Sequence, residues 1–141
     1  YQYGGLWYTD DPSLLLPVGM RVADAQFEVI RRTASQGPCV IVGRCADYVL
    51  EEQKNVFNVF VRSDMENRVT RCREEFGLTE ADARKLIRKT DKIRSNYYRY
   101  YTQTEWGDPS HYDLVIDAGR LGTDAAAYLI AAYVRQFDPK A

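Results

Sequence analysis

Between Val22 and Ser35 apolar side chains recur at near-helical spacing (Val22, Ala23, Phe27, Val29, Ile30 and Ala34), with Asp24, Gln26, Glu28, Arg31 and Arg32 between them. The spacing predicts an amphipathic helix closed by Gly37-Pro38. The pattern then changes. Cys39-Val-Ile-Val42 is a short, wholly apolar run ended by Gly43, the signature of a strand buried on both faces. Val56-Phe-Asn-Val-Phe-Val61 and Asp113-Leu-Val-Ile-Asp117 predict two more strands, and Ala46–Glu52 a short helix before a polar turn at 51–55.

Polar residues mark where the other helices begin. Ser63-Asp-Met-Glu66 reads as a capping box, so a helix should run to about Phe76 and stop before Gly77. Thr79 with Asp82 caps the next helix in the same way, and that helix extends to Thr102. A turn at Trp106-Gly-Asp-Pro109, a loop at Ala118–Gly122 and a last helix at Thr123–Phe137 complete the chain. Residues 1–20, with scattered Gly and Pro and no sustained period, read as irregular. Apolar strands alternating with helices imply an α/β domain, a three-layer doubly wound parallel sheet with right-handed crossovers. Three strands are few for such a sheet, so one more strand and its helix are expected before Tyr1.

Composition narrows the function classes. The 141 residues suit one domain, and 19 basic against 20 acidic residues leave a net charge of −1. No overall field favours nucleic acid or an anionic membrane surface, so neither is expected as a partner, and any anion site must be local. No apolar run approaches the ~20 residues needed to cross a bilayer, and a cytoplasmic setting is expected. Cys39, Cys45 and Cys72 fit neither a metal knuckle nor a disulfide framework, and with His111 the only histidine no metal site is expected.

Three clusters carry candidate chemistry. Gly43-Arg-Cys-Ala-Asp47 follows a predicted strand, where Arg44 and Asp47 either hold a phosphate or base edge or pair with each other at the surface. Arg62 ends the next strand, and Arg68 and Arg71 lie three apart on the following helix. They either meet a polyphosphate or form a solvated face neutralised by Glu66, Glu74 and Glu75. The densest cluster is 84–102, with seven of the nineteen basic residues and four tyrosines. There Lys85, Arg88, Lys89 and Lys92 share a broad helical face, with Asp91 and Arg94 beginning the next turn. Tyr97, Tyr98, Tyr100 and Tyr101 serve either as core edge or as a stacking surface for a base. Converging cations suit phosphoryl transfer, which relies on positioning and charge stabilisation. The phosphate-cradling GxxxxGK[ST] is not in the sequence: Gly122-Thr123 lacks the lysine.

In their order along the chain, Cys39-Val-Ile-Val-Gly-Arg-Cys-Ala-Asp-Tyr-Val-Leu50, Ile87-Arg-Lys-Thr-Asp-Lys-Ile-Arg94, Tyr97-Tyr98…Tyr101-Thr102, Trp106-Gly-Asp108 and Tyr112-Asp-Leu-Val-Ile-Asp117 resemble the cytidylate kinase-like family of P-loop nucleoside monophosphate kinases. The resemblance implies ATP- and Mg2+-dependent transfer to a nucleoside monophosphate, CMP or dCMP foremost. It makes Arg44, Asp47 and Lys89 acceptor-binding, and places Arg88, Asp91 and Arg94 in the transfer itself. Arg68 and Arg71 would meet ATP, Arg120 would sit in the loop under the adenine ring, and residues 74–84 would form a lid. Val42 stands where better-known cytidylate kinases carry an acidic residue, and the P-loop unit is absent, so the 141 residues alone are expected to be inactive. The alternative is a non-catalytic nucleotide-binding or oligomerising module of the same fold.

Overall fold

The computed structural model describes residues 12–137, with side chains described from Val22 onward, so the irregular reading of residues 1–11 lies outside the described residues. In chain order come α1 (Pro12–Ser35), α2 (Ala46–Val49), β1 (Val59–Arg62), α3 (Met65–Phe76), α4 (Glu80–Thr102), a 3-10 turn (Pro109–His111), β2 (Leu114–Asp117), α5 (Ala118–Leu121) and α6 (Thr123–Phe137). The chain divides into two compact units, one ending at Glu51 and one starting at Glu52.

In the first unit α1 buries Ala23, Phe27 and Ile30, spaced four and three apart on one face, while Val22 and Val29 stay outside. The helix starts ten residues earlier than the pattern predicts, so residues 12–20 are helical rather than irregular. Pro12 occupies the first helical position, where its missing N–H is harmless. The helix runs through Pro17, which has no N–H to donate, and through Gly19, a poor helix former. The strand predicted at Cys39–Val42 does not form: these residues have no regular structure, and Val40 and Val42 are 93% and 89% exposed. An apolar β-branched run has the conformational habit of a strand, but a strand also needs a neighbour to take its backbone bonds. Among the described residues none pairs with it.

The second unit is built on two parallel strands, with Val59 opposite Leu114 and Arg62 opposite Asp117. Asn58 and Asp113 close the start of the ladder. The Asn58 amide donates to the Asp113 carboxylate at 2.7 Å and the Asp113 amide to the Asn58 carbonyl at 2.8 Å. Both strands are four residues long, shorter than the predicted segments 56–61 and 113–117, because pairing and not hydropathy sets their ends. Phe60 of β1 meets Trp106 at 5.6 Å and Tyr112 at 5.0 Å, and Phe57 meets Tyr133 of α6 at 6.0 Å. The segment 118–122, predicted as a loop, opens with the short α5 because Asp117 accepts from the amides of Gly119 and Arg120.

Between β1 and β2 lie α3 and α4, joined by the turn at Gly77–Thr79. Gly77 adopts the left-handed conformation (φ 65°) that ends α3, and its amide donates to the Arg73 carbonyl at 2.9 Å. Val69, Ala83 and Ile87 form the buried contact of the pair, with Met65, Cys72 and Leu78 against it. The chain is thus a helix-rich α/β structure with a small parallel sheet, and two strands stand among the described residues where three were predicted.

Candidate functional site

Two caps set the start of α3 and of α4. The cap of α3 is Asp64, not the expected Ser63: its carboxylate accepts from the Asn67 amide and from Asn67 Nδ2, both at 2.8 Å. With β1 running through Arg62, the helix begins one residue later than the capping-box reading required, and a carboxylate is also the better partner for the helix dipole. Thr79 caps α4 as expected, accepting from the Asp82 amide at 3.2 Å while its hydroxyl donates to the Asp82 carboxylate at 2.7 Å. From that start, residue spacing decides which side each charge takes.

Ala83, Ile87 and Tyr98 are the buried side of α4. Asp91 and Arg94, four and seven residues after Ile87, fall on that side, whereas Lys85, Lys89 and Lys92 fall on the outer side, with Arg88 at the flank. Arg88, Lys89, Asp91 and Arg94 are therefore spread around the helix.

Asp91 has a specific partner. Arg68 of α3 grips it with both arms of the guanidinium, Nη1 to Oδ2 at 2.8 Å and Nη2 to Oδ1 at 2.7 Å. The hydrogen bond to Asp91, and then its charge, raise the Arg68 pKa against the opposing effect of burial. Arg71 is held by Glu75 at 2.7 Å, so the two arginines expected to meet ATP are both engaged by carboxylates. Arg84, to which the sequence assigned no role, joins both helices, reaching Glu66 at 2.6 Å and Glu80 at 2.9 Å. Its one legible signal was Glu80, four residues earlier. In contrast, Lys85, Arg88, Lys92 and Arg94 are exposed and form no ion pair among the described residues.

At the carboxyl ends of the strands Arg62 meets Asp117 at 3.4 Å. Arg120, in α5, is exposed. Gly119 lies so close to α3 that a β-carbon there would run into the Ser63 hydroxyl, and its carbonyl accepts from Asn67 at 3.3 Å. That contact, hidden from sequence reasoning, ties the start of α3 to the Gly119-Arg-Leu121 segment.

Arg44 and Asp47 belong to the first unit. Gly43, Arg44 and Cys45 all take positive φ, at 75°, 57° and 55°, a conformation that costs the two non-glycine residues energy. Arg44 is exposed and Asp47 half-buried, flanking the buried Cys45. Burial first, then the Asp47 carboxylate, push the Cys45 thiol up to about 11, with Arg44 opposing. This cysteine is a neutral core residue and no nucleophile.

Magnesium asks for oxygen ligands, usually carboxylates supplemented by water and substrate phosphates. Asp91 is held by Arg68 and Asp117 by Arg62 and two amides, and among the described residues no three His, Cys, Asp or Glu gather as ligands. The described residues do not fit a magnesium cage. No helix among them is long and apolar enough to cross a membrane.

Comparison with known proteins supplies the family. No curated protein matches the chain. Among solved structures, an uncharacterized protein from Eubacterium ventriosum superposes with a TM-score of 0.78 at 33% identity, over 82% of this chain and 65% of that one. The chain thus spans about two thirds of the length of that relative. The model of the cytidylate kinase-like family matches residues 14–120, from within α1 through α5, and so takes in the Arg44 turn, the α3–α4 pair and Arg120. The chain belongs to the cytidylate kinase-like family.

Proposed function

We propose that the chain is part of an enzyme that transfers a phosphoryl group from ATP to a nucleoside monophosphate, with CMP or dCMP the favoured acceptor. The observation that carries the reading is α4: in a member of this family, it sets Arg88 and Arg94, exposed and without ion partners among the described residues, beside the arginine-bearing α3. Phosphoryl transfer asks mainly for such cations around the transferring group. In this reading Arg44 and Asp47 hold the acceptor, a role that the family likeness also gives to Lys89. Arg88, Asp91 and Arg94 attend the transferring phosphate, Arg68, Arg71 and Arg120 face ATP, and residues 74–84, around the Gly77–Thr79 turn, form a lid. The complete fold is then the three-layer sheet of P-loop kinases. Free cysteines and nucleotide substrates go with a cytoplasmic setting.

The test is an ADP-release assay on the full-length protein with ATP, Mg2+ and each monophosphate in turn. Turnover is expected with CMP or dCMP, and none with any acceptor refutes the reading. In the same assay Arg44→Ala and Arg94→Ala should each weaken acceptor use by about 1–3 kcal/mol, read in the monophosphate KM. The 141 residues alone are expected to give no ADP, since the sequence has no GxxxxGK[ST]. That same feature, with Arg68 and Arg71 both held by carboxylates, favours a second reading, a nucleotide-binding or oligomerising module without catalysis. Calorimetry separates the two: micromolar CMP binding by this chain without ATP affinity favours the module.

A further inference from the structure

The Arg68–Asp91 pair joins two residues that the kinase reading assigns to ligands, and it leaves neither free to meet one. Both guanidinium arms and both carboxylate oxygens are used, at 2.8 and 2.7 Å, and the two side chains are 31% and 28% exposed, open enough for an anion to reach. A carboxylate and a phosphate compete for the same planar fork. An internal carboxylate competes at an effective concentration of about millimolar or above, so it masks Arg68 from weak anions. Its displacement would strand a charge unless a second cation took it. Arg94 lies three residues after Asp91 on the same side of α4, exposed and without an ion partner among the described residues.

We propose that Asp91 is a built-in competitor for the phosphate site: it fills the Arg68 fork until a polyphosphate displaces it and passes it to Arg94. The exchange leaves no charge bare, and it breaks a two-armed ion pair that links α3 to α4 across the turn at 77–79. Filling the site and loosening this link are then one event, while Arg84 still reaches Glu66 and the Val69–Ile87 packing stays in place. The proposal rests on the reading of α3 and α4 as the phosphate side of a kinase-like site.

The probe is inorganic tripolyphosphate, added to the 141-residue chain without any acceptor. Two readouts are taken: the guanidinium resonances of Arg68 by NMR, and affinity by calorimetry. In the unsubstituted chain the Arg68 resonances should shift with saturation, and those of Arg94 should follow. Asp91→Asn should bind tripolyphosphate about tenfold more tightly, the effect of one charged hydrogen bond no longer having to be broken. Glu105→Gln removes the same unit of charge from the exposed Arg99 pair, and should change affinity less than about twofold. Arg68 resonances that stay in place at millimolar tripolyphosphate overturn the proposal, as does an Asp91→Asn affinity no higher than that of Glu105→Gln. Neither readout uses turnover, so the kinase reading survives such a failure, and a failed turnover assay leaves these readouts unmoved.

Discussion

Cys45 shows how far one side chain's chemistry follows from its place. Its thiol is buried with the Asp47 carboxylate close by, so the folded chain holds its proton more tightly than the unfolded chain does. The stability this contributes is whole below the ordinary value of 9.0 and is lost as the pH rises through about 11. Alkylation with iodoacetamide at about pH 9, followed by peptide mass spectrometry, should therefore modify the exposed Cys39 well before Cys45, and the Cys45 rate should keep climbing towards pH 11. Equal rates at the lower pH would contradict the assignment. Part of this scale was legible in advance: helical spacing alone puts Asp91 and Arg94 on one side of α4. The Arg68 grip on Asp91 was not, because the two are 23 positions apart and the packing of α3 on α4 brings them together.

Among the elements, α4 followed its sequence best, running from the Thr79 cap to Thr102 as predicted. Local rules suffice where the cap, the apolar period and the stop signal agree. Thr79→Ala removes the acceptor for the Asp82 amide and should cost about 1 kcal/mol in urea unfolding, with helix content by circular dichroism nearly unchanged. A loss within error would mean that Asp82 or the Gly77 turn holds the start of α4 unaided. The elements that departed from prediction did so where a partner or a neighbour decides. Asp64 displaced Ser63 as cap because β1 takes in Arg62, and α1 reached back to Pro12 by growing from a helix already packed. Cys39–Val42 lacked the neighbour that its composition presupposes.

At the scale of the whole chain, the α/β character and the order of elements were readable from alternating patterns, while the extent of the sheet was not, since pairing is a long-range property. Gly119 against Ser63 and the Asn67 bond tie the start of α3 to α5, a contact that no local pattern announces. The bare run at Cys39–Val42 also carries an expectation for the purified protein. Four uncharged residues, two of them almost wholly in water and one an accessible thiol, form a ready template for copies to stick edge to edge and then to crosslink. Without reductant the purified chain should scatter light increasingly with concentration and show disulfide-linked dimers on non-reducing gels. Cys39→Ser should abolish the dimers, and adding Val40→Lys and Val42→Lys should quiet the scattering, so preparations meant for the binding measurements are best kept dilute and reduced.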